Sequence, residues 1–564
     1  MRNASSISFP SWDCRSATGL AAGTGRTAPR RIRTALFAPL CSTIPDREII
    51  TGIGRALREE TGRTPLIVRL MSHDSPVHLG QWHAQHPDLN GVFTLGNALG
   101  HDVPGVDWLD VTLEDLGLEA AVLRRFLGHA CEHYPHVLLL AAAELNAGQL
   151  RMALAASDLS FLLMRQSANQ VYNFHLLARD LPDALSESRP SLKPVLYLDD
   201  EETARGFTEL LYRSEKIDPP ALYGCMTRDG AGSLQVIRNR KGFFESHLRS
   251  IAREIAGTRV GLALSSGGAK GLAHVGILQV LEENGVQVDV IGGCSMGAYI
   301  GALWAYGQTG TQLGELAYEL KKPLGIWSLI DPAFPPREGF IHGKAVRRRL
   351  ERTIDHVHFT DLLRPLRVVA TNIDTLERAV FASGEVSAAV HASIAIPGVC
   401  APVQLADETY VDGGISDPLP VDVLREMGIE RIIAVNTIPT PAYLRCVREL
   451  ERERRATATN RFSPLRWLRR HLNYFSCGNI LDNLLRSVNG AQIRVAEDAC
   501  RQADVVLRPL SCDGNWHEFD QPGKYIALGR RAALEGLDEI RKLARRKESH
   551  ESADTAQKRM AVAA

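Results

Sequence analysis

Apolar residues in this chain come in short runs rich in Val, Ile and Leu, separated by segments of helical periodicity. Runs at 34–40, 65–70, 136–140, 159–164 and 194–198 read as buried strands. Segments 47–60 and 150–156, and one ending near His133, read as helices, with Asp46 placed to cap the first. The alternation resumes at 259–264, 288–291, 365–372 and 428–436, and 409–415 reads as a strand end that carries Asp412 onto a glycine turn. Strands alternating with helices predict an α/β fold of two domains, each built on a parallel, doubly wound sheet.

The same pattern divides the chain. Residues 1–33 are rich in Ser, Thr, Ala and Arg with one acid, Asp13, and read as a disordered leader. Residues 34–200 form the first α/β domain, 201–257 a charged linker and 258–440 the core of the second domain. A basic amphipathic insertion at 441–476 precedes the end of that domain at 477–545, and 546–564 is a disordered tail. Within the insertion Leu465, Leu468, Leu472 and Phe475 share one helical face, with Trp467 and Arg466, Arg469 and Arg470 around it. That pattern suits a helix lying on anionic lipid.

Composition removes several classes of function. Lys+Arg and Asp+Glu both number 65, so net charge gives no sign of a nucleic-acid partner. The ten cysteines include no C-x-x-C pair and no metal-ligand spacing, which suits reduced thiols in the cytoplasm and no bound metal. The longest uncharged stretch, 290–314, is long enough to span a bilayer but holds seven glycines. It reads instead as strand, turn and buried helix.

That stretch holds the candidate chemistry. An apolar run meets Gly293-Cys294-Ser295-Met296-Gly297, and small residues suited to a packed helix follow. A Gly-x-Ser-x-Gly turn between strand and helix is the setting of a nucleophile elbow. Gly293 and Gly297 let strand and helix approach closely, and the helix N-terminus faces a forming oxyanion. One strand–helix unit earlier, Gly267-Gly268-Ala269-Lys270-Gly271 forms a second glycine turn, whose amides can hold negative charge. Asp412, followed by Gly413 and Gly414, is the acid to pair with Ser295. Cys294 reads as a small packing residue and Asp417 as a turn residue.

The three motifs at 267–271, 293–297 and 412–414 resemble the patatin-like phospholipase family over roughly 259–436, and more weakly to about 537. An α/β domain ahead of the lipase also resembles the neuropathy target esterase branch of that family. The resemblance implies a three-layer α/β hydrolase with Ser295 as nucleophile and Asp412 as proton acceptor. It further implies an oxyanion hole around Gly267, Gly268, Ala269, Lys270 and Gly271, no cofactor, and a structural His274. The substrate implied is a phospholipid or lysophospholipid, cleaved through an acyl-enzyme by a cytoplasmic protein at a membrane surface. An acyltransferase using the same site, or a scaffold with a weakly active lipase domain, are the alternatives. Ser266 stands where the family opens its oxyanion loop with glycine. The first domain is similar in element order to partition-type P-loop ATPases. Its loop 41–46 has neither the glycines nor the lysine that bind phosphate, so it reads as a degenerate P-loop-like domain without nucleotide hydrolysis.

Overall fold

The computed structural model describes residues 32–72, 77–78, 104–113, 120–179, 191–199, 235–240, 243–321, 325, 327–405, 407–440, 480–510 and 518–544, with Arg445 and Glu449. The leader up to residue 31, most of the 441–476 insertion and the 546–564 tail lie outside the described residues.

The first unit runs β1 (Thr34–Pro39), α1 (Asp46–Thr61), β2 (Leu66–Met71), β3 (Val77–His78), β4 (Asp107–Thr112), α2 (Ala120–His133), β5 (Val137–Ala141), α3 (Ala147–Ala156), β6 (Leu159–Met164), α4 (Ala168–Arg179), β7 (Ser191–Leu198), β8 (Gln235–Arg238) and α5 (Phe243–Ile255). The strands form one sheet in the order β3-β4-β2-β5-β1-β6-β7-β8, and every pair is parallel. Helices cover both faces. Phe126 and Phe174 lie in the core on one side, Ile49, Ile53 and Leu248 in the core on the other. Central strands covered twice must be apolar throughout, which is why β5 and β6 read so plainly in the sequence.

Two expectations change here, and one strand is new. Asp46 does not cap α1: Pro45 precedes the helix and Asp46 opens it. Its carboxylate still sits in the first turn, where the helix dipole favours negative charge. The half-polar run of β4 shows no clear period and escapes the sequence reading. Segment 201–257 is more than a linker. Its β8 extends the sheet beside β7, and α5 buries Leu248, Ile251, Ala252 and Ile255, with α1 on the same face of that sheet.

The second unit runs β9 (Val260–Leu264), α6 (Ala273–Glu283), β10 (Val290–Cys294), α7 (Met296–Tyr306), α8 (Gly310–Tyr318), α9 (Lys344–Ile354), β11 (Leu366–Asn372), β12 (Arg378–Phe381), α10 (Val386–Ser393), β13 (Val403–Leu405), β14 (Glu408–Asp412), α11 (Val421–Glu426), β15 (Arg431–Val435), α12 (Ile480–Gln502), β16 (Val505–Leu507), α13 (Pro522–Glu535) and α14 (Leu537–Ala544). Its sheet order is β13-β14-β11-β10-β9-β15-β16, with β12 beside β11. The strands from β11 to β16 along this path are parallel, and Gly293 lies level with Leu264, so the turns after β9 and β10 emerge at one edge. The sheet is not parallel throughout. β12 and β14 run antiparallel to β11, and Asp412 is level with Ala370. The acid therefore enters the edge from the opposite direction to the serine.

Helix α13 closes the back of this unit by crossing α6 almost backbone to backbone. A Cβ on Gly276 would lie 2.0 Å from the Ile526 carbonyl oxygen, and one on Gly529 would lie 1.9 Å from that of Ala273. The two units meet through Arg253 of α5. Its Nε donates to Asp289 at 2.9 Å, its Nη1 reaches Glu60 at 3.3 Å, and Asp289 also accepts from the Val260 amide at 2.7 Å. Gly529→Val is expected to lower stability by about 2–3 kcal/mol, because backbone on both helices must move apart. Chemical denaturation of the purified chain checks this.

Candidate active site

The serine turn is built by steric exclusion. A Cβ on Gly293 would lie 2.7 Å from Ala298 Cα, and one on Gly297 would lie 2.2 Å from the Leu264 carbonyl oxygen. Between them Ser295 is held at φ 53°, ψ −118°, in the left-handed half of backbone space. Such a conformation costs a non-glycine residue about 1–3 kcal/mol and persists only when its surroundings enforce it. They do so here: the Ser295 amide donates to Ser393 Oγ at 2.8 Å, and that hydroxyl donates to the Val369 carbonyl at 2.6 Å. Ser295 opens α7 without capping it through its side chain. Its Oγ donates instead to Asp412 Oδ2 at 2.6 Å.

Asp412 is fixed as firmly. Its amide donates to the Ala395 carbonyl at 2.8 Å, and its own carbonyl accepts from Thr371 Oγ1 at 3.1 Å. The second carboxylate oxygen accepts from the Gly414 amide at 2.7 Å. A Cβ on Gly413 would strike the Val369 carbonyl oxygen at 2.3 Å, so the Asp-Gly-Gly turn has to be glycine there. Burial pushes the Asp412 carboxyl up to about 6, against the pull of the Ser295 and Gly414 hydrogen bonds. A carboxylate so placed is a stronger base than an exposed one.

Ser295 and Asp412 open into a cavity of about 140 Å³. Its lining includes Ser266, Gly267, Gly268, Lys270, Thr437 and Gln492, with the apolar Ile396, Pro397, Ile415, Ile438 and Pro439. The glycine loop thus divides. Gly267, Gly268 and Lys270 face the cavity, whereas Ala269 is fully buried and Gly271 packs against the Met296 side chain. Gly267 leaves no room for a side chain, because a Cβ would fall 2.1 Å from Thr437 Oγ1. The Ser266 amide is already committed to the Pro418 carbonyl at 2.9 Å. Burial draws Lys270 down to about 8, with Glu518 pulling the other way.

The remaining candidates separate cleanly. His274 donates from Nε2 to the Ser265 carbonyl at 2.9 Å and holds the foot of the glycine loop. Burial draws its ring down to about 4, so it is neutral. Asp417 pairs with Arg378 at 3.1 Å. Burial drives the Cys294 thiol well above its usual range. Ser393, Thr437 and Gln492 carry no motif and escape the sequence reading. Among the described residues, metal-capable groupings lie elsewhere: His129, Glu132 and His133 on α2, and Glu351, His356 and Glu385. Arg347 bridges both carboxylates of the second.

A strained serine on a strand–helix turn is thus bonded to a buried aspartate beside a glycine loop, at one edge of an α/β sheet. Residues 262–425 match the family described as patatin-like phospholipase. The chain is 35% identical over 190 residues to Lysophospholipase NTE1 of Cryptococcus neoformans, covering 33% of this chain and 12% of that protein. It is 32% identical over 203 residues to human patatin-like phospholipase domain-containing protein 6, covering 35% and 15%. It is 37% identical over 180 residues to an uncharacterized NTE family protein of Mycobacterium tuberculosis, covering 32% and 49%. The chain therefore spans at most about half the length of these relatives. Residues 262–425 thus resemble a patatin-like phospholipase domain, and relatives matched by the chain carry names of the NTE family. Among solved structures, a ParA family ATPase from Chlorobium tepidum is similar at 13% identity and TM-score 0.25 over 40% of this chain and 92% of that one. VipD from Legionella pneumophila is similar at 15% identity and TM-score 0.28 over 50% and 67%. Likenesses this weak add nothing to the strand order itself.

Ser393→Ala removes the partner of the buried Ser295 amide and frees the Val369 carbonyl. It is expected to cost about 1–3 kcal/mol of stability, measurable by thermal unfolding. It is also expected to lower the turnover of any Ser295-dependent reaction.

Proposed function

We propose that the protein is a carboxylic ester hydrolase that removes acyl chains from phospholipids or lysophospholipids. The observation that carries this reading is the 2.6 Å hydrogen bond from Ser295 Oγ to a buried Asp412 in the lining of a cavity that Ile396, Pro397, Ile415 and Ile438 share.

Asp412 takes the hydroxyl proton as Ser295 Oγ attacks the ester carbonyl carbon. The developing oxyanion lies against the amides of Gly267 and Gly268, with Lys270 beside them. The protonated Asp412 returns the proton to the departing alcohol oxygen, which leaves the acyl group on Ser295. Water then attacks the acyl-enzyme and gives a proton to Asp412, which passes it to Ser295 Oγ as the fatty acid leaves, restoring both residues. The apolar residues Ile396, Pro397, Ile415 and Ile438 suit an acyl chain. We place the protein in the cytoplasm, drawing substrate from a membrane surface; no helix among the described residues is long and apolar enough to cross a membrane. The catalytic unit in this reading spans 258–440 and 477–545, and the first domain takes no part in the chemistry.

Ser295→Ala and Asp412→Asn are each expected to lower fatty-acid release by about a thousandfold or more. Incubation with a mixed lipid extract, with products read by mass spectrometry, measures it. Release that survives Ser295→Ala overturns the reading. Activity on a water-soluble ester is expected to rise with pH through about 6 and then level off, because Asp412 works only when ionised. Below that point it falls about tenfold per pH unit. A carboxyl whose folded pKa is raised stabilises the fold when protonated, and that stability is lost as pH rises from 3.8 to about 6. Asp412→Asn is therefore expected to melt no lower than the parent above pH 7.

A further inference from the structure

Five of the nine exposed large apolar side chains among the described residues crowd into two loops: Ile330, Phe334 and Phe340 in one, Ile373 and Leu376 in the other. Phe334 is 95% exposed and Leu376 is 70% exposed. Isolated exposed apolar residues are common, but a concentration in two loops is not.

Both loops belong to the edge that holds the cavity. The first is a narrow hairpin, closed by the Pro332–Ile341 bridge and by the Ala333 amide donating to the Phe340 carbonyl at 2.9 Å. The amides of Phe340 and Ile341 donate to the Val399 carbonyl, and the Cys400 amide donates to that of Ile396. The hairpin that carries Phe334 is thus anchored to the turn whose Ile396 and Pro397 line the cavity. The second loop is the tip between β11 and β12. Its Ile373 amide donates to Thr409 at 2.9 Å, in the strand that ends at Asp412.

Charge names the occupant. Asp331 ties the hairpin to α9 by accepting from the Gly343 and Ala345 amides. From that junction Lys344, Arg348 and Arg352 run along α9 at spacings of four residues, and all three are exposed. Arg337 adds a fourth exposed cation within the hairpin; against them stand Glu338 there, Asp331, 3.9 Å from Arg348, Asp355 at the end of α9 and Asp374 at the second tip. Apolar tips beside a basic stripe match an anionic bilayer, which offers acyl chains below a layer of phosphate.

Resting on the ester-hydrolase reading above, we propose that Phe334 and Leu376 insert into an anionic phospholipid surface, with Lys344, Arg348 and Arg352 along the headgroups, so that the cavity mouth faces the lipid. The docking surface belongs to the catalytic domain itself.

Sedimentation with vesicles tests it on the full chain. Phe334→Ser combined with Leu376→Asn is expected to weaken binding to vesicles of phosphatidylcholine and phosphatidylglycerol by about tenfold or more. Lys344→Glu with Arg348→Glu is expected to abolish the preference for these over pure phosphatidylcholine. Hydrolysis of a water-soluble short-chain ester, which needs no surface, serves as the check on folding. Unchanged vesicle binding in the apolar double variant overturns the proposal. So does loss of self-association with vesicle binding intact, since the patch then joins copies of this chain. Ser295→Ala is expected to bind vesicles like the parent. Ester hydrolysis that survives in Ser295→Ala removes the catalytic reading but leaves the vesicle comparison decisive for docking.

Discussion

A hydroxyl and a carboxylate held 2.6 Å apart out of water set the terms for the rest of the second domain. Neither group reaches this position cheaply. The serine occupies backbone space that side chains avoid, and the aspartate carries a charge that burial disfavours. The surroundings hold both in place. Ser393 pins the serine's amide, Gly414 holds the far carboxylate oxygen, and Thr371 and Ala395 fix the backbone of the acid. The contact survives because three stretches of chain, at Thr371, at Ser393 to Ala395 and at Gly414, fix its two ends.

What could be read from the sequence follows from what kind of constraint each residue obeys. Gly293, Gly297 and Gly413 are legible because backbone passes where a Cβ would stand, a demand only glycine meets. The central strands are legible because burial on both faces demands unbroken apolar runs. Ser393, Thr437 and Gln492 are not, because any of many serines, threonines and glutamines looks the same until the fold brings one to the cavity. The reversed direction of β14 is silent for a related reason: a strand's apolar pattern reads alike from either end. The β8–α5 pair hides in a charged stretch since four residues of strand carry no measurable period.

Electrostatics assigns the remaining polar groups to two jobs. His274 and the Ser265–Thr437 hydroxyls brace the glycine loop from behind, each bonded to backbone or to one another. Arg253, Glu60 and Asp289 make a partly buried joint where the first domain grips the start of β9 and the residue before β10. A buried group of this kind is costly to break, because the survivor is left as an unpaired charge. The joint lies at the opposite end of β10 from Ser295.

The crossing of α13 over α6 separates two boundaries that are easily confused. Similarity to the phospholipase family spans 262–425. The sheet does not stop there: β15 lies between β9 and β16, Thr437 and Gln492 stand in the cavity wall, and α13 locks onto the helix that follows the glycine loop. A protein cut to the recognisable portion would keep every signature residue and lose the two strands beyond β9, part of its pocket and its rear buttress. What is recognisable by descent is here smaller than what can stand alone as a folded body.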